Sequence, residues 1–212
     1  MRHNPSFALD DPAEIRRLIR ENPWATLISN TDSGLVASHY PVLLDEEADE
    51  AGDLVLVSHV GRPDEALHEL GRHELLVIIQ GPHGYISPGW YDAKPAVPTW
   101  NFVTAHLYGT PELLGDEENL RVLDRLVDHF EQRLNEPRRL FGTDADAAYA
   151  ARLVAGTVGF RLRVSRLTAK SKLSQNKPAE TVARILGELD GDGPYASPAL
   201  AAEMRRAHGA DR

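Results

Sequence analysis

Three short segments of the sequence combine residue types that could hold an anionic, planar ligand. The first is Ser58-His59-Val60-Gly61-Arg62, which places a hydroxyl, a glycine and a guanidinium at a predicted strand end. Arginine binds phosphate through paired hydrogen bonds, and the amides of a helix N-terminus add further donors. The segment therefore predicts a phosphate-binding strand exit, although an ordinary strand exit explains the same residues.

The second segment is Val97-Pro98-Thr99-Trp100-Asn101, at the start of another predicted strand. An indole plane can stack on a planar heterocycle while neighbouring hydroxyl and amide groups hydrogen-bond to the edge of that heterocycle. The segment therefore predicts a contact with a heterocyclic ligand. Packing of Trp100 in the core explains it equally well.

The third segment runs from Lys170 to Lys177 and reads KSKLSQNK, which makes it cationic within an acidic protein. A local reversal of charge favours an anionic ligand, and amide side chains add directional donors. Lys172, Gln175 and Asn176 are the predicted contacts. The alternative is a solvated linker before the last helix.

Charge and composition limit the partners of this chain. Its 212 residues include 23 Lys and Arg against 32 Asp and Glu, a formal net charge of −9, which argues against direct DNA binding. The absence of cysteine removes disulfides and thiolate nucleophiles and fits a reducing compartment. The polar, acidic N-terminus does not resemble a signal peptide, and no apolar run approaches the ~20 residues that span a bilayer. We expect a cytoplasmic protein without a membrane partner.

Several common catalytic motifs are missing from the sequence. It contains no G-x-G-x-x-G, no P-loop, no G-x-S-x-G and no histidine pair with the spacing of a zinc protease. Nine histidines leave a metal or haem site open, but no pair has a diagnostic spacing, so we predict no metal site.

The elements that must position the three segments are mostly short strands. Runs rich in β-branched residues, bounded by Gly, Asp and Pro, are the signature of strands. They predict strands over Trp24–Ser29, Leu35–Leu44, Leu54–Val60, Leu75–Gln80, Phe102–Leu114 and Val158–Leu167. Strands at this short spacing favour an antiparallel barrel over a doubly wound parallel sheet.

Helices are predicted by capping residues and by apolar residues at helical spacing. They cover Asp11–Asn22, Pro63–Leu70, Glu117–Leu134, Asp144–Ala155 and a closing helix from Pro178. We expect residues 1–190 to form one domain. The chain beyond Gly191, residues 191–212, is predicted to be a loosely attached tail.

Three long motifs, in this order, resemble the PaiB family of FMN-binding negative transcriptional regulators: GPHGYISPGWY, VPTWNFVTAHLYG and KSKLSQNKP. The similarity runs from about Asn4 to Leu189 and includes ASHYPVLL and SHVGR. It implies a mainly β fold with flanking helices, the FMN-binding split β-barrel of the pyridoxamine-phosphate-oxidase type. It also implies a homodimer with the flavin in the subunit interface.

The resemblance also implies roles for individual residues. The strand exit from Ser58 to Arg62 would contact the FMN phosphate, and Thr99-Trp100-Asn101 would lie beside the flavin ring. A second basic residue commonly follows at this exit, but Pro63 follows here, so Lys172 or another lysine of KSKLSQNK is expected to supply the charge. The related lysine motif commonly has tryptophan where this chain has Ser171.

The implied function is that of an FMN-binding protein whose flavin performs redox chemistry or reports redox state to a regulatory partner. Flavin carries its own chemistry, so the protein needs no catalytic acid or base of its own. The sequence does not identify a substrate. Two alternatives remain, a scaffold regulator with a vestigial flavin site and a haem-binding or haem-degrading split barrel with His83 or His106 as the ligand.

Overall fold

Strands and helices alternate along the computed structural model, which describes residues 1–2, 4–48, 52–91 and 94–209. The strands are β1 (Trp24–Thr31), β2 (Gly34–Pro41), β3 (Leu43–Leu44), β4 (Val55–Gly61), β5 (Leu75–Ile86), β6 (Thr99–Gly109), β7 (Glu112–Leu113), β8 (Thr157–Arg163) and β9 (Arg166–Lys172). The helices are α1 (Pro12–Glu21), α2 (Arg62–His68), α3 (Asp116–Glu131), α4 (Asp144–Leu153), α5 (Ala179–Asp190) and α6 (Pro198–Ala207).

The strands form two sheets. The five-stranded sheet has the order β2-β1-β5-β6-β9, and the four-stranded sheet has the order β3-β4-β8-β7. Pairing is antiparallel between β1 and both β2 and β5, between β4 and both β3 and β8, and between β7 and β8. Antiparallel neighbours need only short connections, which agrees with the short spacing of strands in the sequence.

The chain divides into two compact units. The first unit comprises residues 1–15, 80–105 and 168–212, and the second comprises residues 16–79 and 106–167. The first unit therefore contains α5 and α6. The second contains α2, α3, α4 and the whole four-stranded sheet.

A small apolar core in the second unit joins α3 to the four-stranded sheet. Val57 of β4 packs with Leu114 and with Val122 and Leu126 of α3. The helix comes very close to β8, because a Cβ atom added at Gly159 would lie 2.7 Å from the side-chain oxygen of Asn119. Only glycine therefore fits at this position of β8.

A buried carboxylate ties several elements of the second unit together. The side chain of Asp45 is 2% exposed and accepts hydrogen bonds at 2.9 Å from both Arg125 of α3 and Arg161 of β8. Arg161 also donates to Glu118 at 2.6 Å. Burial by itself raises the pKa of Asp45, but the hydrogen bonds from Arg161 and Arg125 outweigh it and the pKa is lowered.

The structure corrects several predicted strand boundaries. The predicted strand Leu35–Leu44 is two strands, β2 and β3, which belong to different sheets. The predicted Phe102–Leu114 is likewise divided into β6 and β7, and Val158–Leu167 contains most of β8, the turn after it and the first two residues of β9. The β-branched pattern continues across each corner, so it does not show where the chain leaves one sheet for the other.

The prediction of a loosely attached tail beyond Gly191 is wrong. Residues 198–207 form α6, and Leu200, Ala201 and Met204 are fully buried. The helix packs closely on β5, since a Cβ atom at Gly84 would lie 2.9 Å from Cδ2 of Leu200. The last three residues of the predicted tail, 210–212, lie outside the described residues.

Candidate functional site

An exposed tryptophan lies at the centre of an aromatic group in the first unit. The side chain of Trp100 is 54% exposed, so it does not pack in the core. The ring of His83 stacks at 6.4 Å with an interplanar angle of 28°, and the ring of Tyr85 meets the indole edge-on at 6.3 Å. The indole is therefore held in one orientation and still presents surface to a ligand.

The alternation of side chains between the two faces of β6 explains why Trp100 is exposed. Along β6 the side chains from Asn101 to Gly109 alternate between buried and partly buried. Successive residues of a strand point to opposite faces, so Asn101 points into the core and Trp100 points away from it.

Lys172 places a positive charge at the backbone of Trp100. Its ammonium group donates to the carbonyl oxygen of Trp100 at 3.0 Å and also to the hydroxyl of Thr99. Burial lowers the pKa of Lys172, and the nearby charge of Lys170 lowers it further. We call His83, Tyr85, Thr99, Trp100 and Lys172 the Trp100 cluster.

Asn101 does not join the Trp100 cluster. Its side chain is fully buried, and its amide nitrogen donates to the hydroxyl of Ser174 at 3.0 Å and to the sulfur of Met204 at 3.4 Å. The predicted contact residue therefore links β6 to the lysine-rich turn and to α6. Asn101 would affect a ligand beside Trp100 only indirectly, by holding the backbone of β6 in place.

The two predicted amide contacts of the lysine-rich segment differ. The side chain of Gln175 accepts from the amide of Leu173 at 2.7 Å and donates to the carbonyl of Ser171 at 2.7 Å. Both ends of Gln175 thus close the turn after β9, where Ser174 has a left-handed φ of 64°. Asn176 is exposed at the surface of the same turn.

In the second unit, the residues at the end of β4 that are predicted to bind phosphate differ in exposure. Ser58 and Val60 are fully buried, and the Ser58 hydroxyl donates to the carbonyl of Pro41 at 2.6 Å. His59 is partly buried, with its ring edge-on to Tyr40 at 5.9 Å. Burial lowers the pKa of His59, and its shielded Nδ1 has no partner among the described residues.

Arg62 is the exposed member of this strand exit. Its Nε donates to the carbonyl of Ala155 at 2.6 Å, which fixes the direction of the guanidinium. The backbone just before it is held by Tyr40, whose hydroxyl accepts from the amide of Gly61 at 3.1 Å and donates to Asp64. The segment ASHYPVLL contains Tyr40, but the sequence does not indicate that Tyr40 holds the backbone before Arg62.

The family comparison covers most of the chain. A family model described as "Putative FMN-binding domain" matches residues 1–166. The chain belongs to this FMN-binding family. It is also 27% identical over 188 residues to Protease synthase and sporulation protein PAI 2 of Bacillus subtilis (strain 168), an alignment that covers 88% of this chain and 87% of that protein. The predicted resemblance to PaiB is confirmed.

Solved structures of other proteins resemble the fold of this member of the FMN-binding family. The FAD and Heme binding protein from Mycobacterium smegmatis has a TM-score of 0.56 at 19% identity, with 82% of this chain and 78% of that one covered. The Flavocytochrome Anf3 from Azotobacter vinelandii has a TM-score of 0.57 at 15% identity, with 83% and 74% covered. The likeness is one of fold, and it confirms the predicted fold class, mainly β with flanking helices in the manner of the flavin-binding split barrels.

Two further features of this FMN-binding family member concern metals and membranes. Within the ranges that the structure describes, no three His, Asp or Glu side chains are grouped so that they could hold a metal ion. None of the helices in those ranges is long and apolar enough to cross a membrane.

Proposed function

We propose that this chain binds FMN and uses the flavin in a redox reaction or to report redox state to a regulatory partner. The observation that carries the proposal is the Trp100 cluster, in which an exposed indole belongs to the residue whose backbone carbonyl accepts a hydrogen bond from a lysine ammonium. Membership in the FMN-binding family supports it.

The residues of the Trp100 cluster fit a flavin ring. An isoalloxazine is planar and has a polar edge, so it can stack on Trp100 while Lys172 and Thr99 contact that edge. The pKa of Lys172 is lowered by burial. Negative charge on a neighbouring ring would favour the charged ammonium, and the ammonium would in turn favour the reduced, more negative ring. Bound FMN would supply the electron transfer, and the protein would orient the ring and exclude water from it.

We propose that Arg62, in the second unit, contacts the FMN phosphate. Its guanidinium is exposed and oriented by Ala155. Ser58 donates its only hydroxyl hydrogen to Pro41, so it has none left for a phosphate oxygen. We therefore assign the contact to Arg62, with Tyr40 and Asp64 holding the backbone before it.

FMN titration of the purified chain tests the proposal. We expect flavin absorption that survives gel filtration, and saturable quenching of flavin fluorescence. Trp100→Ala and Arg62→Ala should each weaken FMN binding about tenfold or more. Two matched controls should bind as the native chain does, Trp24→Ala at another exposed tryptophan and Arg163→Ala at another exposed arginine. A chain that binds no FMN at saturating concentration contradicts the proposal.

We also propose that the chain forms a homodimer. Large apolar side chains are exposed, among them Leu35 of β2, which is 79% exposed. The strand β2 lies at the edge of the five-stranded sheet, where a partner commonly covers unpaired backbone. Light scattering coupled to size exclusion should give twice the chain mass of 23.4 kDa, and a monomer would contradict the proposal.

Any regulatory role would act through a partner rather than through DNA, and we place that role in the cytoplasm. The net charge of −9 opposes phosphate binding. A mobility-shift titration at physiological salt should therefore show no sequence-specific complex. A specific complex would favour the alternative in which the flavin site is vestigial and the protein is a direct regulator.

Haem binding is the second candidate function, because of the geometry at His83. Its Nδ1 lies 3.1 Å from the carbonyl oxygen of Gly81, a hydrogen bond that directs the Nε2 lone pair outward, where an iron atom would replace the contact with the Gln80 amide nitrogen at 3.4 Å. His106, the other predicted ligand, has a shielded Nδ1 without a partner in the described part of the chain, and burial lowers its pKa. A Soret band on haem addition that His83→Ala abolishes would establish this function. No Soret band would remove it.

A further inference from the structure

The C-terminal helix α6 packs behind the first of the strands that carry the Trp100 cluster. On β5, Gly84 lies between His83 and Tyr85, and it faces the other side of the sheet because successive residues of a strand alternate. A Cβ atom at Gly84 would lie 2.9 Å from Cδ2 of Leu200 in α6. The helix therefore meets β5 on the face opposite to the two rings of the cluster.

The same helix holds the strand that carries the indole. Asn101 follows Trp100 on β6, and its fully buried side-chain amide donates to the sulfur of Met204 in α6 at 3.4 Å. Trp100 and Asn101 point to opposite faces of the strand. The helix therefore meets β6 on the face away from the exposed indole.

The end of the helix reaches the third strand of the cluster. Just after α6, the ring Nε2 of His208 donates to the backbone carbonyl of Leu173 at 3.1 Å. Leu173 directly follows Lys172, the last residue of β9. The strands β5, β6 and β9 are neighbours in the five-stranded sheet. One helix with its C-terminal cap therefore holds the chain next to a cluster residue on each of these strands.

A tyrosine in the loop before α6 contacts the cluster itself. The ring centres of Tyr195 and Tyr85 lie 4.9 Å apart, and the ring of Tyr85 in turn meets Trp100 edge-on at 6.3 Å. Tyr195 is 52% exposed, so it does not fill the core. Support of Tyr85 explains the position of this ring better than core packing does.

The loop that carries Tyr195 is closed by a backbone hydrogen bond. The amide of Ala196 donates to the carbonyl of Gly193 at 3.0 Å, which makes a turn with Pro194 and Tyr195 at its centre. Proline fixes its own φ at the first central position of such a turn. The direction of the Tyr195 side chain is therefore set by the backbone of the turn.

We infer that Tyr195 and α6 position the Trp100 cluster for the flavin ring, so that residues 191–209 are part of the flavin site. This inference rests on the proposed FMN function. Tyr195 would hold Tyr85 against the indole, and α6 would hold the three strands from behind. Rings that are already held in place lose less freedom when a ligand binds. The match to the family model ends at residue 166 and does not include this segment.

Variants of Tyr195 test the positioning role through the bound flavin. We expect Tyr195→Ala to weaken FMN binding about threefold or more, and to alter the circular dichroism of the flavin absorption bands, which reports how the ring is held. Tyr195→Phe keeps the ring and should behave as the native chain does. The matched control is Tyr149→Ala, at a tyrosine of α4 in the second unit that is 56% exposed. It should leave both quantities unchanged.

A buried leucine tests the role of the helix. Leu200→Ala leaves space behind Gly84, and the control Leu126→Ala leaves space in the apolar core between α3 and β4. Both variants should lower the thermal midpoint. At a temperature at which both are folded, only Leu200→Ala should weaken FMN binding, by about threefold or more.

Several results would overturn the inference. Native FMN affinity with native flavin circular dichroism in Tyr195→Ala would reject the role of Tyr195, and so would equal losses in Tyr195→Ala and Tyr195→Phe. Equal losses of affinity in Leu200→Ala and Leu126→Ala would mean that overall stability sets the affinity, which rejects the role of α6. These outcomes leave the proposed FMN function standing. A native chain that binds no FMN rejects that function and this inference together.

Discussion

The ammonium nitrogen of Lys172 lies 3.0 Å from the carbonyl oxygen of Trp100, across two neighbouring strands of the five-stranded sheet. The lysine comes from the end of β9 and the tryptophan from the start of β6. A charge on one strand therefore fixes the backbone that carries the exposed indole on the next. Because the lysine and the tryptophan are held together, a change at either should alter the other's contact with a bound ring.

Replacing Lys172 should weaken FMN binding without unfolding the chain. We expect Lys172→Met to reduce FMN affinity about tenfold or more, since a charge beside the flavin is lost. The free energy of unfolding should change by less than about 1 kcal/mol, because partial burial disfavours the ammonium charge and this offsets the two hydrogen bonds that methionine cannot make. Fluorescence titration and urea unfolding measure the two quantities.

The control for this prediction is Lys170→Met. Lys170 lies two residues earlier on the same strand and contacts the carbonyl of Arg2. Equal loss of FMN affinity in both variants would mean that only the overall charge of the segment matters, and the specific role of Lys172 would be rejected.

The buried amide of Asn101 should be important for stability. Asn101→Ala removes hydrogen bonds to Ser174 and Met204 and leaves the Ser174 hydroxyl buried without its partner. We expect a loss of about 2 kcal/mol in the free energy of unfolding. The exposed Asn176→Ala should change it by less than about 0.5 kcal/mol. Urea denaturation that finds both variants equally stable would contradict the structural role of Asn101.

Local patterns in the sequence predicted most of the helices. The predicted helix from Asp11 corresponds to α1, and the side chain of Asp11 accepts from the amide of Ala13 at 2.9 Å. The start of α5 after Pro178 also follows the prediction. These features depend on neighbouring residues only, so the sequence contains what is needed to predict them.

Features that depend on distant packing could not be predicted in the same way. Ser58 is buried because both faces of β4 are covered, and four consecutive residues, Val55 to Ser58, are buried there. A hydroxyl at a strand end gives no sign of this. The helix α6 was missed because its buried face has only three apolar residues, Leu200, Ala201 and Met204, and also contains Glu203.

The candidate site was predicted in part. The sequence indicated that Trp100 and Lys172 could serve one ligand, but left core packing and a solvated linker open. The exposure of Trp100 excludes core packing, and Lys172 belongs to β9 rather than to a linker, while their contact with a ligand stays a prediction. The hydrogen bond between Tyr40 and Asp64 could not be predicted from the sequence, because 24 residues separate them in the chain.

The buried ion pairs of Asp45 should support the fold at neutral pH. Asp45→Asn leaves Arg125 and Arg161 without their shared carboxylate, and we expect a loss of about 3 kcal/mol at pH 7. The pKa of Asp45 is lowered in the folded chain, so the native contribution is present above the unfolded pKa of about 3.9 and is lost below it. The stability difference between the two proteins should therefore stay constant down to about pH 4 and close at lower pH.

The control for this pH series is Asp53→Asn. Asp53 pairs with Arg163 at 2.6 Å, but both side chains are about half exposed. An exposed pair contributes little, so we expect a loss of less than about 1 kcal/mol. If Asp45→Asn cost no more than Asp53→Asn in thermal melts at pH 7, the buried pairs would not stabilise the fold.

Four histidines should make the fold sensitive to mild acid. Burial lowers the pKa of His59, His68, His106 and His129 in the folded chain. Above the unfolded pKa of about 6.5 neither state binds the extra protons, and below it the unfolded chain binds them first. The free energy of unfolding should therefore fall as pH drops from 7.5 to 5. This range lies above the range in which Asp45 titrates, so the two effects can be separated.

His68 should account for part of this slope. Its side chain is 1% exposed, and its Nδ1 lies 2.8 Å from the hydroxyl of Ser29, a contact that glutamine can replace. His68→Gln should thus flatten the dependence of unfolding free energy on pH between 7.5 and 5, measured by urea denaturation at each pH. An unchanged slope would show that the protein accommodates the imidazolium without cost, and a native stability that is flat over the whole range would reject the role of all four histidines.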